Sequence, residues 1–214
     1  MGIKDQESAM RPALFFFTLT ALFGAFNAVD AGRYNKVLSI GDPAPAWVEL
    51  PGIDGKKHAL ADLTDKDVVV VVFTCNSCPV AEGYEERIIA FDKKYCGPNG
   101  KVALVAINVN VIAEDRLPRM QERAKEKGFR FPDLHDATQK IAKDNGAVYT
   151  PEFFVLDKQR KIAFMGEMDD RNMEREAKVN YLEAAVTAAL MREQIKVSET
   201  LGRGCLIRYI RKRE

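Results

Sequence analysis

Six apolar residues run unbroken from Val68 to Phe73, and the first five are valine. The run is too short for a core helix, and consecutive β-branched side chains favour an extended strand covered on both faces. The period then changes. Val80, Tyr84, Ile88, Phe91 and Tyr95 recur at steps of four and three, which predicts one helix reaching about Tyr95 with those residues on its inner face. Gly97-Pro98-Asn99-Gly100 stops it. Lys101 to Asn110, KVALVAINVN, reads as a second buried strand, and a strand–helix–strand succession makes the two strands parallel.

Elsewhere the pattern is weaker. Trp47-Val48-Glu49-Leu50 alternates and Asp54-Gly55 offers a tight turn, so residues 32–66 read as a β-hairpin with His58 exposed on its second arm. Residues 114–128 form a charged helix with Pro118 in its first turn. Phe129-Arg130-Phe131 is a short extended piece, and Asp136 with Gln139 resembles a capping box opening a helix through Asp144. Glu152–Asp157 and Lys161–Gly166 are two strands of a hairpin. A last helix, from about Glu174 to Arg192, carries Val179, Leu182, Val186, Ala189 and Leu190 on one face. The succession is hairpin, β-α-β, an inserted α-β-α segment, then β-β-α, which defines an α/β fold.

With 47% hydrophobic and 29% charged residues, the 214-residue chain has the make-up of a globular protein with one main domain. Its net charge of +1 gives no case for nucleic-acid binding. The N-terminus changes the picture. Ala13 to Val29 is uncharged and follows Lys4 and Arg11, with small residues at Val29 and Ala31. Residues 1–31 therefore read as a signal peptide cleaved before Gly32, the alternative being a membrane anchor through residues 13–29. Either way the domain, residues 32–192, is expected to be exported to the periplasm or another extracytoplasmic space. Residues 193–214 form a basic tail, which from Val197 carries Arg203, Arg208, Arg211, Lys212 and Arg213 against Glu199 and Glu214.

The chemistry lies just after the valine run. Cys75 and Cys78 stand between strand and helix, where free N–H groups and the helix field favour a thiolate, the first cysteine being nearest the helix end. Two intervening residues allow a compact disulfide that opens and closes without unfolding the domain. Half of a zinc site would need a second ligand pair, and Cys96, Cys205, His58 and His135 are scattered, so no metal is expected. A structural disulfide this short would cross-link almost nothing. The pair reads as a redox centre needing no cofactor, with Cys75 the nucleophile and Cys78 the resolving thiol. Pro79 either delays the helix or simply begins it. Cys96 lies about five turns beyond Cys78, about 27 Å along a continuous helix, too far to join the pair. A Cys96–Cys205 disulfide stays open.

The segments IGDPAPAWVELPGIDGKKHALADL, VVFTCNSCPV, VALVAINVN and VYTPEFFVLDKQRKIAFMGEMDD resemble the thioredoxin-like superfamily, in its redoxin (AhpC/TSA-type) branch with the exported TlpA/ResA-type thiol–disulfide oxidoreductases. The resemblance implies a central mixed sheet flanked by helices, and thiol exchange with partner proteins served by an upstream redox donor or acceptor. It also implies that Thr150-Pro151 is the cis-proline site facing the cysteines, the alternative being an ordinary trans proline. A proline just before a strand interrupts the ladder and leaves backbone groups for an extended substrate to pair with. Two departures matter. Thr74 replaces the usual tryptophan, and Val69 replaces the buried acid that serves as proton acceptor, which leaves Glu82 as the candidate for proton transfer. Other members of the fold suggest a thiol peroxidase, a Sco-type copper chaperone or a non-catalytic binding domain. The peroxidase motif Pro-x-x-x-Thr-x-x-Cys is absent, and Sco-type cysteines are spaced by three residues.

Overall fold

A computed structural model describes residues 1–2, 32–171 and 177–210. The segment Ala13–Val29, the cleavage site before Gly32 and the expected start of the last helix at Glu174 lie outside the described residues. Among the described residues no helix is long and apolar enough to cross a membrane.

The valine run is strand β3 (Val68–Phe73), and every residue in it is buried. Its parallel neighbour β4 (Val102–Asn108) lies on one side and antiparallel β7 (Glu152–Leu156) on the other. With β5 (Asp133–His135) and β8 (Ile162–Gly166) these form a five-stranded mixed sheet in the order β5-β4-β3-β7-β8. Alternation divides the core. Val69, Val71 and Phe73 face a cluster with Leu134, Ile141 and Phe154, while Val68, Val70 and Val72 face one with Tyr84, Leu104, Phe164 and Leu182. The expected N-terminal hairpin is present but short, β1 (Leu50–Pro51) against β2 (Lys57–His58). His58 is half-buried rather than exposed, because its Nε2 bonds Asp54 Oδ1 at 3.0 Å.

Several elements differ from expectation. The single helix after the cysteines is two, α1 (Pro79–Glu82) and α2 (Glu85–Tyr95). Gly83 tightens the backbone, Tyr84 N–H bonds Ala81 O, and the Tyr84 ring turns onto Phe153 with centroids 6.3 Å apart. Helix α3 (Leu117–Lys127) starts later than 114, behind a 3-10 turn at Ala113–Asp115 that buries Asp115. Phe129–Phe131 is not a strand. Its two rings stack at 4.9 Å, and the ladder resumes only at Asp133. Asp136 does open α4 (Lys140–Asp144), accepting from Thr138 N and Ile141 N. Gln139 completes no box, since its amide bonds Val109 O and Arg208 O instead. Helix α5 (Tyr181–Met191) is capped by Asn180, which leaves Val179 outside it and exposed together with Leu190.

Phe154 is fully buried and meets Phe73 edge-on, with centroids 5.5 Å apart. Phe154→Ala should cost about 3–5 kcal/mol, because the surrounding sheet cannot collapse into the vacated space. Urea denaturation of the two proteins, compared at equal m-value, measures this. A loss below about 1 kcal/mol would show that the site repacks.

Candidate dithiol site

Strand β3 ends by handing Thr74 N–H to Ile107 O at 3.1 Å, and the chain then turns through Cys75, Asn76 and Ser77. The turn is gripped by Asp115, a fully buried carboxylate that no sequence pattern had marked. Its Oδ1 accepts from Asn76 N at 2.7 Å and Ser77 N at 3.0 Å, and its Oδ2 accepts from Ser77 Oγ at 2.6 Å and Asn110 Nδ2 at 3.0 Å. The residues between the two cysteines are thus fixed from outside the turn.

Pro79 begins α1, so the residue capping the helix is Cys78, whose Sγ accepts from Ala81 N at 3.3 Å. This corrects the expectation that Cys75 takes the helix-end field. Cys75 nevertheless remains the more exposed residue of the two, at 6% against 1% for Cys78. Its Sγ lies 3.8 Å from Ser77 Oγ and 3.4 Å from Thr150 Oγ1. The Thr150-Pro151 peptide is cis, and Thr150 O accepts from Cys78 Sγ at 3.1 Å. Thr150 therefore touches both thiols.

The backbone ahead of Pro151 is not free for an incoming strand. Tyr149–Thr150 forms β6, paired antiparallel with β9 (Cys205–Leu206) from the chain's own tail, with Cys205 opposite Thr150. Cys205 packs against Cys75, Cys78 and Ala81. Cys96 instead caps the far end of α2, where burial and Asp92 push its thiol up to about 12. The structure brings Cys205 to the dithiol and not to Cys96.

Cys75 and Cys78 pack side by side, and their coupling lowers the pair's first proton loss and raises its second. For Cys78 the cause is chiefly the neighbouring Cys75 thiol, assisted by Cys205 and Ala81 N–H, and the thiol is held down to about 4. Cys75 is pushed up by the neighbouring Cys78, by burial and by the nearby Asp115 charge. The shared charge of the reduced pair thus rests first on Cys78, where the Thr150 side chain also favours it.

Glu82 is not brought to the pair; its carboxylate is largely exposed and lies 3.1 Å from Arg123. Asp133 lines a small cavity with Thr74, Cys75 and Asn108, in which the other acid, Glu85, is paired with Arg123. The Asp133 Oδ1 is buried without a hydrogen-bond partner among the described residues. Burial, with a contribution from the Glu85 charge, pushes this carboxyl up to about 7. Among the described residues no group of three or more His, Cys, Asp or Glu side chains could hold a metal ion. His135 is turned to Asn110 O at 3.2 Å.

The succession of strand, dithiol turn and helix, with a cis-proline facing the turn on a mixed sheet, defines a thioredoxin-like fold. The AhpC/TSA family model matches residues 40–165, and the chain belongs to that family. A hypothetical protein from Sinorhizobium meliloti is 31% identical with a TM-score of 0.76, the match covering 82% of this chain and 97% of that one. An uncharacterized conserved protein from Geobacillus kaustophilus is 29% identical with a TM-score of 0.77, over 84% of this chain and 96% of that one. A thioredoxin-family thiol:disulfide interchange protein from Chlorobium tepidum is similar in fold, with a TM-score of 0.52 at 19% identity, over 72% and 99%. No curated protein matches.

Asp133 makes stability pH-dependent with a definite sign. Its folded value of about 7 lies above the ordinary carboxylate value, so the native state keeps a proton that the unfolded chain releases. Wild-type stability should therefore fall from about pH 4 to about pH 7 and then level, by on the order of a few kcal/mol. Asp133→Asn lacks this loss, so its advantage in Tm should grow across that window. A Tm difference that stays flat with pH would show that Asp133 is not a buried neutral acid.

Proposed function

We propose that the protein is an exported thiol–disulfide oxidoreductase that exchanges the Cys75–Cys78 dithiol and disulfide with partner proteins. The observation carrying this reading is the packing of the two thiols side by side, both held against Thr150 by a turn that Asp115 fixes. The uncharged stretch Ala13–Val29 supports export, and an oxidising compartment would require partners to cycle the pair.

In the reductive direction one proton passes from Cys75 to Cys78, which transfers the negative charge from Cys78 to the more exposed Cys75. The Cys75 thiolate attacks one sulfur of a partner disulfide. A new S–S bond forms as the partner's bond breaks, and its second sulfur leaves with the electron pair. Cys78 then attacks the Cys75 sulfur, releases the partner as a dithiol and leaves the Cys75–Cys78 disulfide. Run backward, the same steps oxidise a partner dithiol. Asp133, sharing a cavity with Cys75 and carrying a pKa near neutrality, is suited to take and return the proton. Beside the pair, an open cavity lined by Pro79, Val80, Tyr84, Arg87, Arg203 and Gly204 offers room for a partner segment.

Attack through Cys75 gives an asymmetric result in trapping. Cys78→Ser should accumulate partner proteins as mixed disulfides on Cys75, while Cys75→Ser should accumulate far fewer. Non-reducing gels of exported extracts, with mass spectrometry of the adducts, read the outcome and identify the partners. Adducts on Cys75→Ser alone would reverse the two roles. Their absence from both variants would overturn dithiol exchange.

A further inference from the structure

A third thiol faces the pair. The tail returns as β9, setting Cys205 opposite Thr150 in the antiparallel register. This approach depends on glycine, because a Cβ on Gly204 would sit 2.1 Å from Thr150 O, a backbone atom that cannot move aside cheaply. Thr150 then serves all three cysteines. Its Oγ1 is 3.4 Å from Cys75 Sγ and donates to Cys205 O at 3.5 Å, while its carbonyl accepts from Cys78 Sγ at 3.1 Å. The Cys205 side chain packs on the cluster of Cys75, Cys78 and Ala81. Unlike the other two, which are buried, it is partly open to solvent. The backbone ahead of Pro151 is where an extended partner would add a strand. Here the chain's own tail occupies that edge and presents a cysteine from it.

We propose that Cys205 is a third redox thiol, which takes over the oxidised pair by forming a Cys78–Cys205 disulfide. The proposal rests on the dithiol-exchange reading above. The step is an isomerisation and needs no further oxidant. The Cys205 thiolate attacks the Cys78 sulfur of the Cys75–Cys78 disulfide, so the Cys78–Cys205 bond forms as the Cys75–Cys78 bond breaks. The electron pair leaves on Cys75, which takes up the proton that Cys205 gave up. The disulfide is thereby moved from two buried sulfurs to one that solvent reaches, and Cys75 is restored as a thiol. A partner dithiol attacking the Cys205 sulfur can then reduce it.

The test uses the full chain. Cys75→Ser and, as an independent variant, Cys75→Ala are equilibrated in oxidised and reduced dithiothreitol, alkylated, digested and mapped by mass spectrometry, with near-UV circular dichroism reporting the fold. Both should yield a Cys78–Cys205 linked peptide with Cys96 alkylated. Adding Gly204→Ala to either should shift the equilibrium towards open thiols by about tenfold, equivalent to about 1.4 kcal/mol. Random pairing in an unfolded chain would show no such dependence and would involve Cys96. Wild type and Cys205→Ser, treated alike, report the Cys75–Cys78 disulfide. If that disulfide forms in Cys205→Ser while Cys78 and Cys205 stay alkylated in both Cys75 variants, the third thiol is overturned and dithiol exchange stands. If it forms in neither wild type nor Cys205→Ser, both readings fall. A Cys78–Cys205 peptide indifferent to Gly204→Ala would also overturn the proposal, since the site geometry would not be producing it.

Discussion

A strand apolar at every position has to be covered on both faces, and most of this molecule follows from that requirement. Val69, Val71 and Phe73 point one way and Val68, Val70 and Val72 the other, so each face recruits its own core. Burying each such side chain contributes about 1.5–3 kcal/mol relative to exposure, and shifting the register by one residue would exchange the two faces. The strand is therefore held along its whole length. Phe73 is its last residue, fully buried, and Cys75 follows two positions later. The reactive sulfur takes its position from a constraint that has nothing to do with redox chemistry.

Around that sulfur, two buried acids have been given different work. Asp115 accepts from backbone and side-chain donors of the turn and from Asn110, so its carboxylate is committed to holding the loop. Asp133 stands on β5 with one oxygen unbonded, and without donors to stabilise charge its proton is retained towards neutrality. The difference lies in the supply of hydrogen-bond donors, since both residues are buried. A carboxyl with few donors beside a thiol can exchange a proton with it. One already saturated with donors is suited to rigidity instead.

What was legible in the sequence was whatever depends on neighbours along the chain. The buried strands, the parallel pair, the late hairpin and the dithiol between strand and helix all show as local periodicity or spacing. The helix start is ambiguous in the sequence because Pro79 satisfies two local readings, and only the Ala81 N–H pointing at Cys78 decides between them. The break at Gly83–Tyr84 was hidden because the apolar steps run straight across it. Asp115 and Asp133 left no signal, for a carboxylate's role depends on which distant donors surround it. Glu82 is the nearest acid in sequence, but it pairs with Arg123 and is largely exposed. Cys205 could not be assigned from spacing, since its pairing with Thr150 spans most of the second half of the fold.

The tail bearing Cys205 is built into the fold at both ends, and this determines what its thiol can do. Upstream, Met165 N bonds Ser198 O and Thr200 N bonds Met165 O, both at 3.0 Å, and Glu167 N bonds Thr200 Oγ1 at 2.8 Å. Downstream, Gln139 accepts from Ile210 N at 2.8 Å and Tyr209 Oη donates to Ala147 O at 2.6 Å. The two-residue strand between these anchors would be weak alone, with each backbone bond contributing about 1 kcal/mol net. Held at both ends, it does not have to find its partner by diffusion. The encounter of Cys205 with Cys78 is intramolecular and already oriented, so its cost in chain entropy was met when the domain folded. A partner protein has no such advantage. It must approach Cys75 from the open side of the site or displace an edge that is already paired. That asymmetry favours exchange within the three-thiol cluster whenever the Cys75–Cys78 disulfide persists long enough for Cys205 to attack.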